Sequence, residues 1–398
     1  MLIVFFLVLL FPLVSYSQVV ERIEIFGLKW TKEEFVREEL LIKEGESFSK
    51  KKLRKSIKNL LNTHLFLKVV PTVEKGKKGV IVKLKLKEKF PIVPVPKVRV
   101  KTDGSYRLGS EIRYYNFLGM GHRLSVGYMR WFKNDHQERN FYIGTIFYRI
   151  IKKRTNISTG IGYLESFNHE FTKDGKNLGY YDIEAIKTYL YFTRFLDREK
   201  VKRITTGIRP EFTFFSDYIG NLRQYYLVFI YTIDKRTDMV YYTKGSLFNF
   251  YIDLAEPLSS TVYTGSVKVS FQNSIKKRKV DTFNYVFRVG TKFGYSGRIF
   301  LISSEIPGYI SDLTIGKRFI YTSVSYRMAV IDKKVFFKPI VVLGDAFDEK
   351  PDNFLLSPGF EIEISWEKLV DGIIRFRIYK GIGYGSDLQT NLKVGFRW

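Results

Sequence analysis

From residue 92 to the C-terminus the chain alternates between apolar and polar side chains in sixteen segments separated by turns. The segments lie near 93–102, 106–116, 123–131, 140–150, 155–165, 183–195, 202–214, 224–233, 245–254, 262–273, 281–293, 320–330, 334–343, 355–366, 373–384 and 388–398. In the last, Leu388, Thr390, Leu392, Val394, Phe396 and Trp398 share one face, and Gln389, Asn391, Lys393, Gly395 and Arg397 share the other. Successive side chains of a strand point to opposite faces, so a stretch of about ten residues with this pattern can cross a bilayer, lipid on one side and a wet lumen on the other. One such strand also fits the edge of a soluble sandwich. Sixteen in succession predict a mainly β fold, a 16-stranded antiparallel transmembrane barrel. Closure leaves no unpaired amide in lipid, and the even number puts both ends of the chain on one side.

Other features fit an exported barrel. Residues 2–14 are almost wholly apolar and precede Ser15-Tyr16-Ser17, so residues 1–17 read as a signal peptide. No later stretch holds 18 uninterrupted apolar residues, the length a membrane helix needs. Cysteine is absent, which excludes a disulfide framework and thiolate metal sites. Aromatic residues make up 17% of the chain, as aromatic girdles require. A net charge of +26 would suit nucleic acid, but the export signal and strand pattern argue against that partner.

Residues 19–90 follow a different plan. Residues 20–26 alternate as a short strand, and 32–41 and 50–63 read as helices. The second helix carries Leu53, Ile57, Leu60 and Leu61 as an apolar stripe behind a Ser49 N-cap. Strands follow at 68–74 and 79–87, where Val80, Val82, Leu84 and Leu86 alternate with Ile81, Lys83, Lys85 and Lys87. By itself this is a small α+β domain. The order strand-helix-helix-strand-strand, with Ile25-Phe26-Gly27 early and Leu65-Phe66 after the second helix, resembles a POTRA domain.

Three barrel stretches extend that resemblance. Asn116-Phe117-Leu118-Gly119-Met120-Gly121-His122 resembles an early turn of the POTRA-containing outer-membrane assembly and translocation barrels, the bacterial surface antigen superfamily of BamA and TamA. Asp234-Lys235-Arg236-Thr237-Asp238 with Thr243-Lys244-Gly245 is similar to its mid-barrel turn. Glu305-Ile306-Pro307-Gly308-Tyr309, within the connection 294–319, resembles its lumen-inserted loop. The resemblance implies an outer-membrane barrel (92–398) behind one periplasmic POTRA domain (19–90), inserting outer-membrane proteins or translocating polypeptide. The implied partners are the outer-membrane bilayer, an unfolded or extended client and a periplasmic accessory protein or chaperone, with no cofactor. The client would be captured by strand addition to the POTRA sheet, then templated or released at a seam between 93–102 and 388–398. Lys101, Gly383 and Gly395 lie on or near that seam, and Phe396 and Trp398 form the terminal assembly signal. The superfamily's loop usually carries an arginine that pairs with acidic residues of the barrel wall, and Pro307 stands in its place. Arg318 is a candidate substitute cation, with Asp345 a candidate wall partner.

Catalysis has little support. His64, His122, His136 and His169 show no metal-ligand spacing. His122 falls in a turn, and His136 and His169 fall in predicted outer loops without a serine motif. The competing functions are a passive diffusion channel and a structural or lipid-organising protein. Turns after even-numbered barrel strands hold Lys152-Lys153-Arg154, Arg198-Glu199-Lys200, Lys276-Lys277-Arg278-Lys279 and Asp332-Lys333-Lys334. They form a basic rim, either simply solvated or attracted to anionic headgroups or acidic client segments.

Overall fold

A computed structural model describes residues 18–101, 105–133, 136–151, 154–173, 176–197, 199–215, 221–238, 241–294, 300–301, 306–309, 315–366 and 372–396. The expected signal peptide and Trp398 lie outside them. The chain divides into two units, residues 1–88 and 89–398.

In the first unit, β1 (Val20–Phe26), α1 (Glu33–Glu39), α2 (Lys50–Asn62), β2 (Phe66–Lys75) and β3 (Val80–Glu88) follow in order. β3 is the central strand, parallel to β1 and antiparallel to β2. Its alternation decides the packing: Val80, Val82, Leu84 and Leu86 are buried, as are Leu53 and Leu60 of α2 and Phe35 and Val36 of α1, while its lysines remain outside. Ser49 caps α2, its hydroxyl accepting from the Lys52 amide at 3.3 Å. Three backbone amides, those of Lys29, Trp30 and Thr31, donate to Glu88 and fix the segment after β1.

The second unit is the sixteen-stranded antiparallel barrel: β4 (Ile92–Lys101), β5 (Tyr106–Phe117), β6 (His122–Lys133), β7 (His136–Ile151), β8 (Thr155–Lys173), β9 (Lys176–Phe195), β10 (Lys202–Phe215), β11 (Leu222–Asp234), β12 (Thr243–Ala255), β13 (Thr264–Lys276), β14 (Thr282–Gly294), β15 (Arg318–Ile331), β16 (Val335–Phe347), β17 (Leu355–Trp366), β18 (Gly372–Lys380) and β19 (Leu388–Phe396). The outer face is apolar: Leu108, Ile112, Phe141, Ile161, Ile208 and Leu227 are all exposed there. Among the described residues no helix is long and apolar enough to cross a membrane.

Several boundaries differ from the sequence reading. β8 and β9 pair out to Lys173 and Lys176, so His169 sits in a strand, as does His136 at the start of β7. Ladder hydrogen bonds hold a hairpin together beyond the apolar segment that marks it in sequence. At the other extreme, β18 stops at Lys380 rather than 384, because Gly381 to Asp387 turn away to meet the inserted loop. The proximal end of the barrel is the one where β4 begins and β19 stops. The opposite end is distal.

Candidate functional site

Among the described residues, which leave out 102–104 beyond the end of β4, the seam is the shortest ladder between neighbouring full-length strands. β19 meets β4 at four positions, Asn391 with Lys101, Leu392 with Val100, Lys393 with Arg99 and Val394 with Val98. By contrast, β13 and β14 pair at thirteen positions, 264–276 against 294–282. The reason lies in β4. The Tyr115 amide donates to the Pro91 carbonyl at 2.9 Å, so position 91 faces β5. Backbone groups alternate sides along a strand, and the β4–β5 register runs unbroken from Ile92 to Val100. Positions 94, 96, 98 and 100 therefore face β19. Pro94 and Pro96 carry no N–H, so β4 offers β19 no donor between Ile92 and Val98. Sequence reasoning passed over these prolines, although proline at i and i+2 inside a strand marks an edge.

Gly395 lies on β19 opposite Ile373, beyond the last seam pair, and Gly383 lies in the connection before β19. Among the described residues singled out for the seam, Lys101 is the one paired across it. Phe396 ends β19.

The inserted loop docks beside these last strands. Ile306 and Tyr309 are buried with Val342 and Ala346 of β16, Leu355 of β17 and Tyr379 of β18. The Tyr309 hydroxyl lies 2.6 Å from the Leu356 carbonyl and 2.8 Å from that of Ile382, and it accepts from both amides at 2.9 Å. Its single proton serves one carbonyl at a time, so one oxygen fastens two segments. Gly308 donates to the Gln389 side chain at 3.1 Å and accepts from the Asp387 amide at 2.8 Å. It has a φ of +89°, and a Cβ there would fall 2.6 Å from the Gly381 nitrogen. Only glycine fits that bend and that approach. Pro307, half-buried beside it, brings no charge.

Arg318 lies outside the docked Ile306–Tyr309 segment. It is the first residue of β15 rather than part of the inserted loop, it is exposed, and its guanidinium donates to the Glu349 carbonyl at 3.0 Å. Asp345 is fully buried and accepts from the Asp352 and Asn353 amides at 3.0 and 3.1 Å, capping the connection before β17. Arg318 and Asp345 are not paired with each other: the register sets Arg318 against Phe347 and Asp345 against Ile320.

The wall acids instead find cations on neighbouring strands. Glu361 of β17 is bonded to Arg377 and lies 3.5 Å from Lys338 and 3.7 Å from Arg375. Glu363 lies 2.6 Å from Arg327 and 3.4 Å from Arg375. Glu361 and Glu363 are thus neutralised by cations of the wall itself. A buried carboxylate costs several kcal/mol if unpaired. Arg327 also donates to the Tyr241 carbonyl at 2.8 Å, tying the connection after β11 to β15 and β17.

The remaining motif residues shape turns. The Asn116 side chain accepts from the Gly121 amide at 2.8 Å, while Gly119 and Gly121 adopt φ values of +72° and +70°. Asp234 receives the Arg236 amide at 3.1 Å and two guanidinium bonds at 3.0 Å, and Gly245 turns at a φ of +104° against the Lys235 carbonyl. No group of three or more metal-ligating side chains occurs among the described residues. His122 accepts from the Tyr148 amide at 3.0 Å.

Comparison with known proteins places this architecture. Residues 18–89 match the POTRA family, described as a surface antigen variable number repeat. A protein of Treponema pallidum described as "Putative outer membrane protein assembly factor" is 33% identical over 114 residues, 27% of this chain and 14% of that relative's length. The fold superposes on BamA from Haemophilus ducreyi lacking POTRA domains 1–3, with 14% identity, a TM-score of 0.60, and 95% of this chain and 85% of that one covered. It also superposes on CdiB from Acinetobacter baumannii, with 12% identity, a TM-score of 0.65, and 96% and 74% covered. Residues 18–89 are thus a POTRA domain, and the chain shares the fold of BamA and CdiB, a sixteen-stranded barrel following that domain in sequence.

Proposed function

We propose that this protein assembles or translocates polypeptide at the outer membrane, taking up an extended client on its POTRA sheet and passing it to the barrel seam. The seam supports the reading: four pairs among the described residues, with two prolines at its proximal end, beside a loop fastened to the final strands. A diffusion channel gains nothing from a weak joint in its wall, whereas a template for incoming strands needs one.

The POTRA sheet favours one edge for uptake. On the outer side of β1, Val20 exchanges backbone bonds with Gly45 and Glu46, and Ile23 is held by the Glu44 carboxylate and the Arg37 guanidinium. Among the described residues nothing is bonded along the outer side of β2, where Val70 and Val73 are exposed. Strand addition uses such an edge, main-chain bonds supplying affinity. Free energy for the cycle comes from client folding and burial in lipid, with no nucleotide.

The test is a locked seam. Val100→Cys with Leu392→Cys places cysteines at facing positions. The oxidised protein is expected to keep its heat-modifiable barrel mobility while client assembly in reconstituted vesicles fails, and reduction should restore it. Normal assembly by fully oxidised protein overturns the seam mechanism.

A further inference from the structure

We infer that the proximal rim of the barrel is a docking surface for anionic phospholipid headgroups in the surrounding leaflet. The first observation is a charge asymmetry between the two ends. Residues joining consecutive barrel strands at the proximal end include thirteen Lys and Arg against seven Asp and Glu. At the distal end the corresponding numbers are three and eleven. A chain that is merely lysine-rich would charge both ends alike.

The second observation is the backbone these lysines adopt. Lys200 and Lys333 sit in turns at φ of +59° and +62°. That region strains a residue with a Cβ, and turns normally meet it with glycine, asparagine or aspartate. Lysine at two such positions means that charge, not turn geometry, selected the residue.

The third is the company they keep. Lys200 lies 5.9 Å from the Phe195 ring, Lys276 4.5 Å from Tyr242, and Lys333 5.3 Å from Tyr241. Aromatic rings at the level where an apolar wall ends favour the headgroup region. Lys277, Arg278, Lys279 and Lys334 are exposed, and no ion pair to them occurs among the described residues. Basic residues occur in the turns after β7, β9, β11, β13 and β15, distributed along the rim rather than gathered in one groove. That distribution fits a leaflet, which surrounds a barrel, better than a single acidic peptide. The proposal needs only a membrane-embedded barrel and stands apart from the seam mechanism.

The full chain would be reconstituted in phosphatidylcholine vesicles carrying traces of spin-labelled phosphatidylglycerol or phosphatidylcholine. Electron spin resonance then gives the relative occupancy of each lipid at the protein. At low salt phosphatidylglycerol is expected to be favoured severalfold, since each basic residue at an anionic surface contributes up to about fivefold. The preference should fade in 1 M salt, where the screening length is about 3 Å. A variant with Lys277→Gln, Arg278→Gln, Lys279→Gln, Lys333→Asn and Lys334→Gln should approach equal occupancy. An unchanged preference in the folded variant overturns the proposal, as does a wild-type protein without preference at low salt. If the variant fails to fold, wild-type preference that survives 1 M salt overturns it. If wild type ignores the lipid but binds fluorescent poly-glutamate through these residues, the rim is a polypeptide site and the lipid proposal falls.

Discussion

Tyr309 holds the inserted loop through a buried ring and one shared hydroxyl, and Arg318 contributes a single exposed bond to a carbonyl. Truncating a buried aromatic costs about 3–5 kcal/mol, and losing a buried hydroxyl's bonds costs about 1–3 kcal/mol. Tyr309→Ala should therefore release the loop and raise single-channel conductance in planar bilayers, Tyr309→Phe should do so partly, and Arg318→Ala should leave conductance near wild type. The reverse ranking would mean an electrostatic latch. Glu44 offers a second residue-scale test. The Ile23 amide, and after it Arg37, hold its carboxyl below the usual carboxylate range. Folding with a lowered pKa is favoured above the unfolded value, about 4.3, and that advantage disappears as pH falls through the folded value. Thermal unfolding of the POTRA domain should show Glu44→Gln less stable than wild type at pH 7, with the two converging below about pH 4.

At the scale of elements, the period-two pattern made all sixteen strands legible, because one face meets lipid and the other a polar lumen. The POTRA helices and strands were legible for the same reason, apolar spacing matched to a single core. Their order could be read, but the ends of β8, β9 and β18 could not, since those ends are set by pairing partners rather than by apolar content. The seam prolines were plain in the sequence, yet their effect required knowing which side of β4 they face. Pro94→Val with Pro96→Val supplies two amides to β19. At about 1 kcal/mol for each new bond, the closed seam should gain roughly thirtyfold over the open one. Hydrogen exchange at Val98 and Val100 should slow and client assembly should decline. Unchanged exchange would show that something other than missing donors ends the ladder.

Across the whole molecule, the contacts hardest to anticipate were those joining segments distant in sequence. Tyr309 meets Leu356 and Ile382, and Arg327 meets Tyr241 and Glu363; no local spacing announces either set. The resemblance to the family's loop named Pro307, Gly308 and Tyr309 as a unit, whereas the grouping of Glu361 with Arg375, Arg377 and Lys338 follows from strand register and is announced by no motif. The two-unit architecture has a mechanical corollary. Only Lys89, Phe90 and Pro91 separate β3 from β4. Three residues span at most about 11 Å, and proline stiffens the last of them. The strand on the weak side of the barrel is thus held on a short leash by the domain that precedes it. Any displacement of that domain beyond the leash must be taken up by β4 or by the end of β3, so under the proposed uptake tension from a captured chain would be delivered to the strand with the fewest described rungs.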